Sequence, residues 1–211
     1  MTLVPTLLAA ALISGILTIL ADHRGRFGLV YVFKPLTMAA VIDIAIIFFV
    51  PEKPLYGRLI LAGLLTSLVG DVALMLKKKR FIEGLVCFLL AHLFYGAAFA
   101  SGVSFRPPLW PFLLLAAFAV LVFAVLSPHL GKLKIPVAAY VLVITAMAAL
   151  AANRYFQVGG AKALSALAGA ALFLVSDSSL AVNRFVKKRR YGQVLTLGTY
   201  FAAQVLIALS I

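Results

Sequence analysis

The chain has little of what keeps a protein in water. Charged residues fill only 12% of its 211 positions, against about 25% in ordinary soluble domains. Six are acidic, and no low-complexity tail or polar linker interrupts the apolar runs, so a single domain spanning 1–211 is expected. The one cysteine, Cys87, lies in an apolar run; no disulfide framework exists, and a small buried hydrophobe is its simplest role. There is no Gly-Xaa-Ser-Xaa-Gly elbow, no His-Glu-Xaa-Xaa-His helix and no phosphate-binding glycine loop. A serine hydrolase therefore lacks its nucleophile motif.

What is present is apolar surface. Hydrophobic residues make up 64% of the chain, with a mean hydropathy of +1.13. No water-soluble core of this size hides so much, and the apolar runs have helix length rather than the ten-residue alternation of an outer-membrane barrel. The sequence thus reads as an all-α, polytopic membrane protein of eight spans. Their expected bounds are Leu3–Leu20, Tyr31–Val50, Tyr56–Leu76, Phe81–Ser101, Leu109–Leu126, Ile135–Ala152, Ala161–Ala181 and Gln193–Ile211. The first run has no basic residues ahead of it and is expected to stay as a span rather than be cleaved as a signal peptide. Pro5, Pro35, Pro111 and Pro136 fall near expected segment starts, where a missing N–H costs little.

Net charge is +13, which in a soluble protein would suggest nucleic acid. Here the cations sit in short loops between spans, so they read as topology signals and as attraction to anionic lipid. Fourteen Lys and Arg, including Arg24, Arg26, the Lys77–Arg80 run and the Lys187–Arg190 run, follow odd-numbered segments. Five, Lys53, Arg58, Arg106, Arg154 and Lys162, fall on the other side. The positive-inside rule then puts both termini outside the cytoplasm, and a bacterial inner membrane is the expected location.

Two of the acidic residues inside the apolar spans stand just ahead of a basic cluster: Asp71 before Lys77–Arg80, and Asp177 before Arg184 and Lys187–Arg190. A carboxylate at membrane depth costs about 2.5–3.5 kcal/mol on insertion scales and by default marks a functional site. Leu68-Val69-Gly70-Asp71-Val72-Ala73-Leu74 also aligns with Leu174-Val175-Ser176-Asp177-Ser178-Ser179-Leu180. This suggests two parallel four-helix halves, 1–104 and 105–211. With this orientation the deep polar groups outline a cavity open to the cytoplasmic leaflet, with Glu83 at its mouth and His92 and Gln204 at its floor. Each has a plainer reading: interhelical hydrogen bonds or pairing with a basic residue at the cytoplasmic end for the aspartates, a satisfied core histidine for His92, snorkelling for Lys34 and a polar helix stop for Asn183-Arg184. Tyr95, Tyr140 and Tyr200 serve equally as packing groups with a polar handle. Asp43 has no echo in the second half. A metal held by Asp71, Asp177, Glu83 and His92 has no tight ligand spacing behind it, so no metal or other cofactor is assigned.

Lys34-Pro35, the Ser67–Asp71 stretch, Gly84 with Ala91-His92-Leu93-Phe94-Tyr95, Leu172–Asp177 leading to Asn183-Arg184-Phe185, and Thr199–Gln204 occur in an order that resembles the YhhN family over nearly the whole chain. That resemblance implies a lysoplasmalogenase-like hydrolase acting on a lysophospholipid in the bilayer. Its reaction cleaves a vinyl-ether bond, releasing a fatty aldehyde and a glycerophospho-alcohol. The residues offer matching chemistry: Asp71 and Asp177 divide an acid and a base role, as carboxylate pairs do around oxocarbenium-like states. His92, Tyr200 and Gln204 orient the acid or the water, while Lys34, Asn183 and Arg184 bind the phosphate. The single lipid chain is expected along the small-residue face of Ser165, Ala166, Gly169 and Ala170. A proton-coupled transporter or flippase of a lipid or small solute is the alternative, since membrane aspartates and repeats serve carriers too. An intramembrane aspartyl protease is disfavoured, because Leu68 stands where its Gly-Xaa-Gly-Asp signature has glycine.

Overall fold

Apolar runs separated by short polar breaks fold into eight helices in the computed structural model, which describes residues 3–49, 54–76, 80–106 and 108–211. The helices are α1 (Leu3–His23), α2 (Phe27–Ile47), α3 (Pro54–Met75), α4 (Phe81–Ala100), α5 (Leu109–Leu126), α6 (Lys134–Val158), α7 (Gly160–Ala181) and α8 (Gly192–Ala208). Seven stretches are long and apolar enough to cross a membrane; α8, at 17 residues, is shorter. The described residues contain no strand. Lys53 and Lys77–Lys79, counted above as topology signals, and Val50, the expected end of the second span, lie outside the described residues.

One boundary departs from expectation in a way that matters. α2 begins at Phe27, just past a turn at Gly25 (φ 69°), because Phe27–Val30 continue the apolar run. Pro35 therefore lies inside the helix rather than at its start, and it removes one intrahelical hydrogen bond next to Lys34. At the other end of the chain, α6 continues six residues beyond Ala152. Its last turns are fastened to the connection between α4 and α5: Asn153 Nδ2 donates to Ser104 O (3.0 Å) and Arg154 Nη1 to Ser101 O (2.8 Å). The Arg154 guanidinium also lies 4.5 Å from the Tyr56 ring centroid.

α1 pairs with α2, α3 with α4 and α7 with α8, and α8 also touches α1, α2 and α3. Composition explains the layering. α5 (LWPFLLLAAFAVLVFAVL) carries no polar side chain, buries only Pro111 and Leu126, and stands at the periphery. α8 carries Thr196, Tyr200 and Gln204 on one side, and all three are buried against neighbouring helices. Close approach of α3 and α4 depends on glycine: a Cβ on Gly70 would lie 2.9 Å from the Phe88 ring, and one on Gly84 2.6 Å from Leu74.

The small-residue face of α7 is similarly filled. Ser165 Oγ donates to Leu206 O (2.7 Å), and a Cβ on Gly169 would lie 2.8 Å from Ile207. That face is the α7–α8 seam and leaves no room for a lipid chain. Past Ala181, α7 widens into a π-helical turn, Val182–Val186, which carries Asn183 and Arg184.

Candidate active site

A cavity of about 530 Å³ opens at one end of the bundle. It is lined by the C-terminal parts of α1, α3 and α7 (Asp22, Asp71, Asp177, Arg184) and the N-terminal parts of α2, α4 and α8 (Lys34, Phe81, Thr196, Tyr200). This is the end that bears Arg24, Arg26, Arg80 and the Lys187–Arg190 run. The volume lies within the range of small-molecule sites, roughly 300–1,000 Å³.

The first acidic centre is an ion pair. Lys34 Nζ sits 2.8 Å from Asp71 Oδ1, and Tyr200 OH donates to Asp71 Oδ2 at 2.6 Å. The Asp71 side chain is 1% exposed and that of Lys34 10%, so both charges are withdrawn from water and offset one another. The second centre lacks such a cation. Tyr140 OH donates to Asp177 Oδ2, and His92 Nε2 stands 3.7 Å from the same oxygen. Asp177 is the more accessible of the two, at 13%.

Aromatic rings join the centres. Tyr200 packs edge-on against Phe173 (centroids 5.6 Å), Phe173 against His92 (4.6 Å), and His92 against Tyr140 (5.3 Å). Behind this wall Tyr95 OH donates to Gln204 Oε1 at 2.7 Å, with Ser67 Oγ 3.4 Å from the same hydroxyl.

Of the residues singled out in the sequence, Lys34, Asp71, Asp177, Arg184 and Tyr200 line the one cavity. His92 and Gln204 are fully buried and do not form its floor; each stands behind a tyrosine that contacts an aspartate or its neighbour. Glu83 is exposed and pairs with Arg80 (3.6 Å) instead of guarding the mouth, because the first turn of α4 projects it outward. The metal set that included Glu83 is thus not brought together. Asn183 is also drawn elsewhere: its Oδ1 accepts the Arg189 N–H (3.2 Å), and its side-chain amide fills the space where a Cβ on Gly192 would be. It braces the π-helical turn and does not line the cavity. Arg184 does, with its guanidinium 4.8 Å from the Phe81 ring centroid.

Two contributors escaped sequence reasoning. Tyr140 was separable from any packing tyrosine only by its partner, which lies 37 residues away. Asp22, at the cavity wall, ends an apolar run beside His23 and Arg24 and reads there as an interfacial group.

Eight packed helices around a charged, partly enclosed cavity define a polytopic integral membrane protein with two buried carboxylates on one cavity. The chain belongs to the YhhN family, whose family model matches residues 29–211. A protein of Escherichia coli O157:H7 named "Uncharacterized membrane protein YhhN" is 30% identical over 203 residues, 96% of both chains. The Bos taurus protein named "Lysoplasmalogenase TMEM86A" is 36% identical over 157 residues, covering 72% of this chain and 64% of the relative. The Homo sapiens "Lysoplasmalogenase TMEM86B" is 37% identical over 157 residues, covering 74% and 64%. No solved structure matches the chain.

Proposed function

We propose that this protein hydrolyses the vinyl-ether bond of lysoplasmalogen-type lysophospholipids, releasing a fatty aldehyde and a glycerophospho-alcohol. The observation that carries the reading is the pair of unlike carboxylate centres, Asp71 and Asp177, on one cavity, in a family with relatives named lysoplasmalogenases. Asp71 is ion-paired with Lys34 and accepts from Tyr200, and so suits the ionised role. Among the described residues only Tyr140 donates to Asp177, and only at Oδ2, so Oδ1 is free to carry a proton.

In this scheme Asp177 delivers its proton to the alkene carbon remote from the ether oxygen. The positive charge then rests on the oxocarbenium formed by the adjacent carbon and that oxygen. Water adds to the carbon as a carboxylate takes up its proton, and the hemiacetal collapses to aldehyde and alcohol. Asp71 stabilises the cation by its charge, and the ring faces nearby add to this. His92 and Tyr140 position Asp177; Gln204, through Tyr95, supports the wall behind Tyr200. Lys34 and Arg184 attract the phosphate, with Asn183 acting through the turn that carries Arg184.

The positive-inside count supports a cytoplasmic cavity mouth and two termini on the opposite side of a bacterial inner membrane. The matching Asp71 and Asp177 segments support a duplication of the four-helix half.

The test is product analysis by mass spectrometry after incubating purified protein with 1-alkenyl lysophosphatidylethanolamine. Aldehyde is expected from the wild type and not from Asp177→Asn, with both proteins equally folded. The buried Lys34–Asp71 pair also suits a proton-coupled carrier. Intact substrate, together with uptake that depends on a proton gradient, would establish the carrier instead.

A further inference from the structure

A second opening meets the first at Asp177. It is a narrow slot with about 50 Å³ of free volume, walled by α4, α5, α6 and α7. Twelve of its sixteen lining residues are apolar, and Asp177 is its only charged group. Phe81, Asp177 and Leu180 line both the slot and the charged cavity, so the two spaces adjoin at the carboxylate.

The slot coincides with a division in the hydrophobic core. Tyr140, Ile144 and Leu174 belong to the main cluster, whereas Leu126 and Val137 belong to a separate small one. All five line the slot, which runs along the boundary between the clusters. On α6 it extends from Val137 to Thr145, about 12 Å of helix. Its outer wall is α5, which buries only two of its residues and so yields at small cost in apolar contact.

We infer that this slot is the subsite for the single hydrocarbon chain of the lysolipid, with the polar head in the adjoining charged cavity. The inference rests on the proposed lysophospholipid substrate and adds where its chain lies. An amphiphile with one chain needs an apolar space and a charged space meeting at a point, and here they meet at Asp177. In a vinyl-ether lipid the reacting bond is the junction of head and chain, so this placement brings that bond to Asp177 rather than to Asp71. At about 50 Å³ the slot is smaller than one extended chain, so α5 must move outward for a chain to enter, and two chains side by side would need a larger displacement. That gives a physical reason for preferring a lysolipid to a diacyl lipid. The subsite replaces the α7 small-residue face, which α8 occupies.

The test uses lysophosphatidylethanolamine bearing a diazirine at the chain terminus, photolysed with the full-length protein in nanodiscs, and the adducts mapped by mass spectrometry. Adducts on Phe118, Ile144 or Thr145 are expected. Adducts confined to the outer bundle surface or to the α7–α8 seam overturn the inference. This readout needs no turnover, so it decides the subsite even if the wild type releases no aldehyde and the proposed reaction fails. As a second arm, Val122→Phe and Val141→Phe narrow the slot. Each should lower kcat/KM, or binding if there is no turnover, by about tenfold or more for a long-chain lysolipid while sparing a short-chain analogue. An equal loss for both chain lengths in correctly folded variants overturns it as well.

Discussion

Removing the Lys34 ammonium by Lys34→Met gives the sharpest energetic test of the site. Met keeps the length and apolar bulk of the side chain, so the change isolates the charge. Asp71, with 1% side-chain exposure, then keeps Tyr200 as its donor but loses the cation 2.8 Å away. Breaking one partner out of a buried ion pair typically destabilises by about 3–5 kcal/mol, because the other charge is left uncompensated. Asp71→Asn is expected to cost less, about 1–3 kcal/mol. The amide can still accept from Tyr200, and Lys34, which lines the cavity, retains some access to water. The double variant Lys34→Met/Asp71→Asn removes both charges and should be clearly more stable than Lys34→Met alone. Equilibrium denaturation in mixed micelles measures all four proteins of this cycle. If both single changes stay within about 0.5 kcal/mol of wild type and simply add, the buried pair is not an energetic unit, and the assignment of Asp71 as a fixed ionised group falls with it.

Tyr140→Phe deletes only the hydroxyl that donates to Asp177; stability should fall by about 1–3 kcal/mol, and aldehyde release should slow through kcat more than KM. Unchanged steady-state kinetics would remove Tyr140 from the site. Gly70→Ala puts a methyl 2.9 Å from the Phe88 ring and should destabilise the α3–α4 pair by about 1–3 kcal/mol. In the same unfolding assay Gly28→Ala, where a Cβ meets nothing within 4 Å, should stay within about 0.5 kcal/mol of wild type. Arg184→Ala should raise KM for a phosphate-bearing lysolipid more than it lowers kcat, read from initial rates across a substrate series; an effect on kcat alone would argue against head-group binding.

Some of this was open to a reader of the sequence for a plain reason. A bilayer imposes a length and a polarity on every segment, so apolar runs translate directly into helices. α5 begins and ends where the run Leu109–Leu126 does. The two aspartates stood out because lipid makes them costly. Where the reading slipped, a local rule met a neighbour it could not see. Pro35 was expected at a helix start, yet the run back to Phe27 prolonged the helix around it. Asn183 looked like a phosphate ligand, but Gly192 and the Arg189 N–H claim its side chain. The small residues of α7 suggested a chain groove, and α8 fills it.

The sequence alone therefore determined a helical membrane protein with acidic groups at two matching positions, since hydropathy and the expense of charge in lipid act on one segment at a time. Only the tertiary structure decided that these groups differ. Lys34 comes to Asp71 from α2 and Tyr140 comes to Asp177 from α6, in each case from the helix just before the one that carries the carboxylate. Which helix lies beside which is set by side-chain packing between segments, such as Phe88 entering the space above Gly70, and no single segment encodes it. The same packing opens the slot beside Asp177.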